Sequence, residues 1–140
     1  MIIKNSISVA DYQVLHDAVG WKILNNKIVK AALKKSHIVL SAYEDDKIVG
    51  MVRLVSDLNT HGLLTDMIVL PSYQGRGIGK ALIDELNKKV QEMVNKKDQF
   101  LLELVPTKGN EGFYIKCGFK VDSSSLLGAY RWYKNQNIYK

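Results

Sequence analysis

Three glycines at alternate positions, Gly75, Gly77 and Gly79, stand between an apolar run and a long stretch of helical periodicity. A turn of this composition points backbone N–H groups outward at the positive end of a helix dipole, which makes a cradle for an anion. Side chains at these positions would hold a phosphate away, while Arg76 and Lys80 flank the turn with positive charge. The plainer alternative is a flexible turn without a ligand. Spacing narrows the choice of ligand. A P-loop leaves four residues between its glycines and continues with Lys and Ser or Thr; here Gly75 to Gly79 leaves three, and Ala81 follows Lys80. A dinucleotide fingerprint needs Gly-x-Gly-x-x-Gly, and the third glycine comes one residue early.

Other chemistry is thinly represented. The three histidines, His16, His37 and His61, have no metal-ligand partner at useful spacing, and a single cysteine rules out Cys-x-x-Cys, so no metal is expected. No Gly-x-Ser-x-Gly elbow supports a hydrolase. Cys117 reads as a small buried residue, and alone it cannot build a disulfide framework.

A chain of 140 residues is expected to be one domain, residues 1–140, burying roughly two thirds of its unfolded surface. Twenty Lys and Arg against fourteen Asp and Glu leave a net charge of +6, which suits an anionic partner. No five like charges run together, so the lysines read as solvated helix faces and no nucleic-acid partner is expected. The N-terminus shows no basic stretch followed by a long apolar run, and no segment approaches the ~18 apolar residues of a membrane span. The expectation is a cytoplasmic protein with no membrane partner.

Tyr12, Leu15, His16 and Val19 recur at helical spacing after Ser8, with Asp11 at the capping-box position, and predict a helix over 8–19. Ile28, Val29, Ala32 and Leu33 predict a second helix over 26–36. The runs 37–43 and 47–55, joined by Glu44-Asp45-Asp46, predict a hairpin whose nearly continuous apolar content suits a sheet covered on both faces. A polar loop over 56–62, a strand over 63–70 and a helix from Lys80 to about Lys96 presenting Leu82, Leu86, Val90 and Met93 follow. Residues 99–105 read as a strand, 110–116 as a short helix closed by Gly118, and 119–121 and 129–133 as last strands.

Gln74, Gly77 and Gly79 fill the signature Gln/Arg-x-x-Gly-x-Gly/Ala, and in this the chain resembles the GCN5-related N-acetyltransferase (GNAT) superfamily. Ile68-Val69-Leu70-Pro71 is similar to that family's strand and proline, and Phe113 to Phe119 to its second signature, an aromatic pair ahead of Gly-Phe. The resemblance implies an α/β fold: a mixed, mostly antiparallel central sheet with splayed middle strands, flanked by helices. It implies acetyl-CoA as cosubstrate, its pyrophosphate on the amides of Gly75, Arg76, Gly77, Ile78, Gly79 and Lys80, beside Gln74. The pantetheine arm would pair with the backbone of Ile68 and Val69, and Asn110 is the nearest candidate for an Asn touching the cofactor.

The implied activity is direct transfer of an acetyl group to a primary amine; the alternative is a non-catalytic acyl-CoA-binding module. The acceptor is a small-molecule or peptide amine, and many relatives form homodimers. An alkyl amine of pKa about 10.4 is protonated at neutral pH and needs help to lose its proton. Asp66 is the first candidate base and Glu103 the second, each with the alternative of pairing with a neighbour, such as Arg53 for Asp66. Tyr114 is the candidate acid for the departing thiolate, the alternative being a ring that packs under the cofactor. Trp21, in the link between the first two helices, either stacks on the acceptor or fills the core.

Overall fold

The computed structural model describes residues 1–121 and 128–138. They form the elements β1 (Ile2–Lys4), α1 (Val9–Ala18), α2 (Asn26–Lys35), β2 (Ile38–Glu44), β3 (Lys47–Ser56), β4 (His61–Val69), a 3-10 turn (Pro71–Tyr73), α3 (Ile78–Val94), β5 (Gln99–Leu104), α4 (Glu111–Lys116), β6 (Lys120–Val121) and β7 (Ala129–Lys134). The strands order as β1-β2-β3-β4-β5-β7-β6. β1 with β2, β2 with β3, β5 with β7 and β6 with β7 are antiparallel, and β4 with β5 is parallel. The mixed, mostly antiparallel sheet with helices is the expected fold class.

The residues gather into two compact units, Met1–Val55 with Thr65–Ile83, and Ser56–Leu64 with Asp84–Lys140. In the first, Ser8 caps α1 by accepting from the Asp11 amide at 3.0 Å, and Gly20 ends it with φ +74°. The Gly20 amide donates to Asp17 O and the Trp21 amide to His16 O, the double closure that a left-handed residue after a helix permits. Asn25 caps α2, accepting from the Lys27 amide at 2.8 Å. The β2–β3 hairpin turns on Asp45 and Asp46, both at positive φ, which gives the turn the twist of the strands it joins. Ile48 to Val52 are buried without interruption, so both faces of this part of the sheet are covered. Gly50 is required by close approach: a Cβ there would lie 3.0 Å from Ile68 O and 3.2 Å from the Leu82 side chain.

In the second unit, β4 pairs with β5 over His61–Leu63, although the strand continues to Val69. β5 alternates cleanly: Phe100, Leu102 and Leu104 are buried, Leu101 and Glu103 only partly so. Tyr133 donates from its hydroxyl to Asn87 Oδ1, and Gln91 Nε2 donates to Lys134 O at 2.9 Å, tying β7 to α3.

Most element ends fall within a residue or two of the sequence reading, and the informative differences lie in β1, β4 and α3. β1 is too short to carry a periodic signal. β4 begins at His61 rather than Leu63 because His61 and Gly62 pair with Leu101 and Leu102. Helix α3 starts two residues early, on Ile78. Its buried stripe closes on Val94, leaving Met93 half-buried, because steps of four from Ile78 through Leu82, Leu86 and Val90 arrive at 94.

Candidate active site

The glycine turn lies in the first unit, between the end of β4 and the start of α3. Leu70 N–H donates to Val49 O at 2.8 Å, fixing the strand end, and Pro71–Tyr73 follows as a single 3-10 turn. Gln74 then folds back, its Nε2 donating to Val69 O at 3.0 Å. Gly75 and Gly77 sit at φ +77° and +84°, a conformation that other L-residues rarely adopt, and a Cβ on either would meet no atom within 4 Å. The space beside both is open. Gly79 differs, lying within the first turn of α3. Ala81 N–H donates to Gly77 O at 3.0 Å as the first rung of the helix, so the Ile78 and Gly79 amides precede the ladder. Open glycine faces, amides ahead of the first rung and the positive end of a 17-residue helix together offer the geometry and the charge that suit an anion. The Arg76 guanidinium rests over the Tyr73 ring at 4.8 Å, and the buried Ile78 anchors the helix start.

Asp66 occupies a different place in the same unit. Its backbone is at φ +51°, a left-handed conformation inside a strand that is uncommon for a residue with a side chain. Its carboxylate is enclosed: Arg53 Nε donates to Oδ2 at 2.7 Å, His16 Nε2 lies 3.0 Å from Oδ1, and the Tyr12 hydroxyl donates to Oδ2 at 3.4 Å. Burial alone would raise its pKa, but the His16 hydrogen bond and the Arg53 charge outweigh that and hold the carboxyl below its ordinary value. Burial and the same carboxylate push the Tyr12 phenol up. His16 stacks on Tyr12 at 3.8 Å, and its Nδ1 lies 2.8 Å from Tyr12 O. Of the two roles open to Asp66, its partners favour the ion pair with Arg53. Such a carboxylate is a poor proton acceptor.

Tyr114 belongs to the second unit, on α4, and is buried. Its ring meets Phe113 and Phe119 edge-on at 5.1 and 6.0 Å. Burial, with a smaller contribution from Cys117, pushes its pKa up to about 12, and its hydroxyl makes no hydrogen bond among the described residues. Asn110 precedes α4 without spending its side chain on the cap, while its carbonyl accepts from the Phe113 and Tyr114 amides. Glu103, the second candidate base, stands on β5 with Oε2 3.3 Å from His61 Nε2, both side chains about half exposed. Trp21 is 40% exposed with its edge on His16, so it does not fill the core.

His16 and Tyr12 are the site residues the sequence reading missed as a functional pair. Their spacing of four put them on the inward face of the first helix, but nothing local reveals a carboxylate 50 positions away.

Residues 35–121 match the family model of the acetyltransferase (GNAT) domain. The chain is 33% identical over 140 residues to the histone acetyltransferase TAP1 of Glycine max, covering 92% of this chain and 58% of that protein. It therefore spans little more than half of that relative's length. The uncharacterized N-acetyltransferase ycf52 of Pyropia yezoensis is 30% identical over 132 residues, covering 91% of this chain and 73% of the relative. Among solved structures, a GNAT family acetyltransferase from Streptococcus pneumoniae TIGR4 superposes with a TM-score of 0.70 at 33% identity, covering 88% of each chain. An aminoglycoside 6′-N-acetyltransferase complexed with coenzyme A, 17% identical, shares the fold with a TM-score of 0.69 over 94% of each chain. With its glycine turn, its strand order and the match over 35–121, the chain belongs to the GNAT acetyltransferase family.

Proposed function

We propose that this chain is an acetyl-CoA-dependent N-acetyltransferase that passes the acetyl group directly to a primary amine. The observation that carries the reading is the glycine turn, where Gly75 and Gly77 hold conformations that serve no packing need and leave open space beside the start of α3. The residues fit a pyrophosphate: the Ile78 and Gly79 amides lie ahead of the helical ladder, Gln74 braces the turn through Val69 O, and Arg76 and Lys80 give it positive charge. Ile68 and Val69 would offer backbone to the pantetheine arm, with Asn110 as a further polar contact. Acetyl-CoA, when bound, supplies an activated acyl group.

In the transfer, the neutral amine nitrogen forms a bond to the thioester carbonyl carbon, the C–S bond breaks to release the thiolate of coenzyme A, and the surplus proton of the attacking nitrogen passes to solvent water, leaving the amide. Tyr114, with a pKa of about 12, is protonated throughout the physiological range. A complete proton transfer from it to a thiolate of pKa about 8.5 is about 5 kcal/mol uphill. Its role is therefore to donate a hydrogen bond to sulfur as the C–S bond breaks, with full transfer following where burial raises the thiol as well. Asp66 lies low in basicity, which makes it a positioning group that fixes α1 against β3 and β4 through Tyr12, His16 and Arg53.

That enclosed carboxylate also favours a second reading, a module that binds acyl-CoA without turning it over. Thiol release from acetyl-CoA, measured against a panel of amines and lysine peptides beside a thermal-shift titration of acetyl-CoA, separates the two. Release with one amine class supports the enzyme; a thermal shift with no release across the panel favours the binder.

A further inference from the structure

Helix α4 is six residues long, too short to be stable by itself, so whatever holds its end also sets where Tyr114 lies. Its C-terminus closes through two backbone hydrogen bonds: the Phe119 amide donates to Tyr114 O at 3.0 Å and the Gly118 amide to Ile115 O at 3.1 Å. Gly118 permits this at φ +94°, and the Phe119 ring comes back against the Tyr114 ring at 6.0 Å. Tyr114 is therefore tied to the closure by its carbonyl and by its ring. The Cys117 carbonyl falls beyond the last helical rung, and two side chains take it: Asn87 Nδ2 of α3 donates to it at 3.3 Å and Arg131 Nη1 of β7 at 3.4 Å. Tyr133 braces both, its hydroxyl donating to Asn87 Oδ1 and its ring lying 4.7 Å from the Arg131 guanidinium. Gly118 also leaves room for the arginine, because a Cβ there would lie 2.8 Å from Nη1. All of these residues belong to the second unit.

We infer that Arg131 is a positioning residue for acetyl transfer: through Cys117 O it holds the end of α4, and so the Tyr114 hydroxyl, in place. The inference rests on the reading of Tyr114 as the hydrogen-bond donor to the departing sulfur. Arg131 and Tyr133 stand opposite the buried Leu102 and Phe100, on the face of the sheet that meets α3. From there the charge of Arg131 is directed at the carbonyl end of α4 and at the Tyr133 ring, both of which favour a cation. A planar guanidinium can lie against a ring and donate from its edge at the same time, whereas an ammonium has no flat face to divide in this way. With the guanidinium gone, Asn87 alone meets Cys117 O, and a displacement of about 1 Å at a positioned group can cost ~10²-fold in rate.

The test compares Arg131→Gln in two backgrounds, wild type and Tyr114→Phe, by steady-state thiol release from acetyl-CoA with the amine class that supports release. In wild type, R131Q is expected to lower kcat about tenfold with the KM for acetyl-CoA within about twofold. In Y114F it should cost less than about twofold more, because the hydroxyl it positions is already absent. Arg131→Lys, which keeps the charge, should fall between wild type and R131Q. An equal fold loss in both backgrounds, or wild-type kcat in R131Q, overturns the inference. Amide hydrogen exchange on the whole chain reads the clamp without turnover: in R131Q the Gly118 and Phe119 amides should exchange at least about tenfold faster, while those in the middle of α3 stay within about threefold. Wild-type protection at 118 and 119, or a rise spread over the whole chain, also overturns it. No release with any amine strikes the acetyl-transfer reading, and unchanged turnover in Y114F strikes the acid role of Tyr114; in either case the exchange result decides the clamp by itself.

Discussion

Replacing Asp66 by Asn separates the positioning role from the base role. The carboxylate accepts from Arg53 at 2.7 Å, faces His16 at 3.0 Å and meets the Tyr12 hydroxyl at 3.4 Å, with Arg53 16% and Asp66 11% exposed. Breaking a fully buried pair by neutralising one partner costs about 3–5 kcal/mol, and a hydrogen bond to a charged group is worth about 1.5–3 kcal/mol. Asn retains the shape and one acceptor, and the site is not fully dry, so D66N is expected to lose about 2–3 kcal/mol. For a domain of this size that is a fall in Tm of roughly 6–12 °C. Urea unfolding at pH 7 measures it. The sign with pH follows from the depressed folded-state pKa: the carboxylate's contribution is complete above the unfolded value of about 3.9 and is lost as pH falls through the folded value. The gap between wild type and D66N therefore narrows below about pH 4. A gap under about 1 kcal/mol at pH 7, or D66N protein of wild-type stability with turnover abolished, would refute the positioning argument and restore Asp66 as the base.

Tyr114→Phe should lower turnover at least tenfold, in line with the 10²–10⁴-fold typical of general acids, with acetyl-CoA affinity within about twofold; an unchanged rate removes the acid role. Since the hydroxyl has no hydrogen-bond partner among the described residues, the same variant should keep its stability within about 1 kcal/mol by urea unfolding. Gly77→Ala places a side chain at φ +84° and should cost about 1–2 kcal/mol of stability from backbone conformation alone, because its Cβ meets no neighbour. It should also weaken acetyl-CoA at least tenfold in a calorimetric titration; wild-type affinity would show that the turn is not the cradle.

Local chemistry made much of this molecule legible. Ser8 and Asp11, the hairpin over 38–56 and the glycine turn each announce themselves within a few residues, because caps, tight turns and periodic faces are short-range devices. Of the three glycines, however, only Gly75 and Gly77 need a positive φ, and spacing alone does not distinguish them from Gly79 in the helix. The enclosure of Asp66 was open to a guess at Arg53, thirteen residues away, but not at His16, since that contact depends on how α1 lies on the strands. The neighbours of Glu103 on the sheet were illegible for a similar reason. Tyr130 and Trp132 become its neighbours only through the register of β5 with β7, and register is a property of the folded sheet.

The central claim is that the turn from Gly75 to Lys80 holds acetyl-CoA, and the most direct test is thermal unfolding of the whole chain across an acetyl-CoA titration. A Tm that climbs with ligand is expected, reaching about 2.7 kcal/mol of added stability, or roughly 8–11 °C, at a hundred times the Kd, with a much smaller shift for Gly77→Ala. An unchanged Tm at millimolar acetyl-CoA would contradict it.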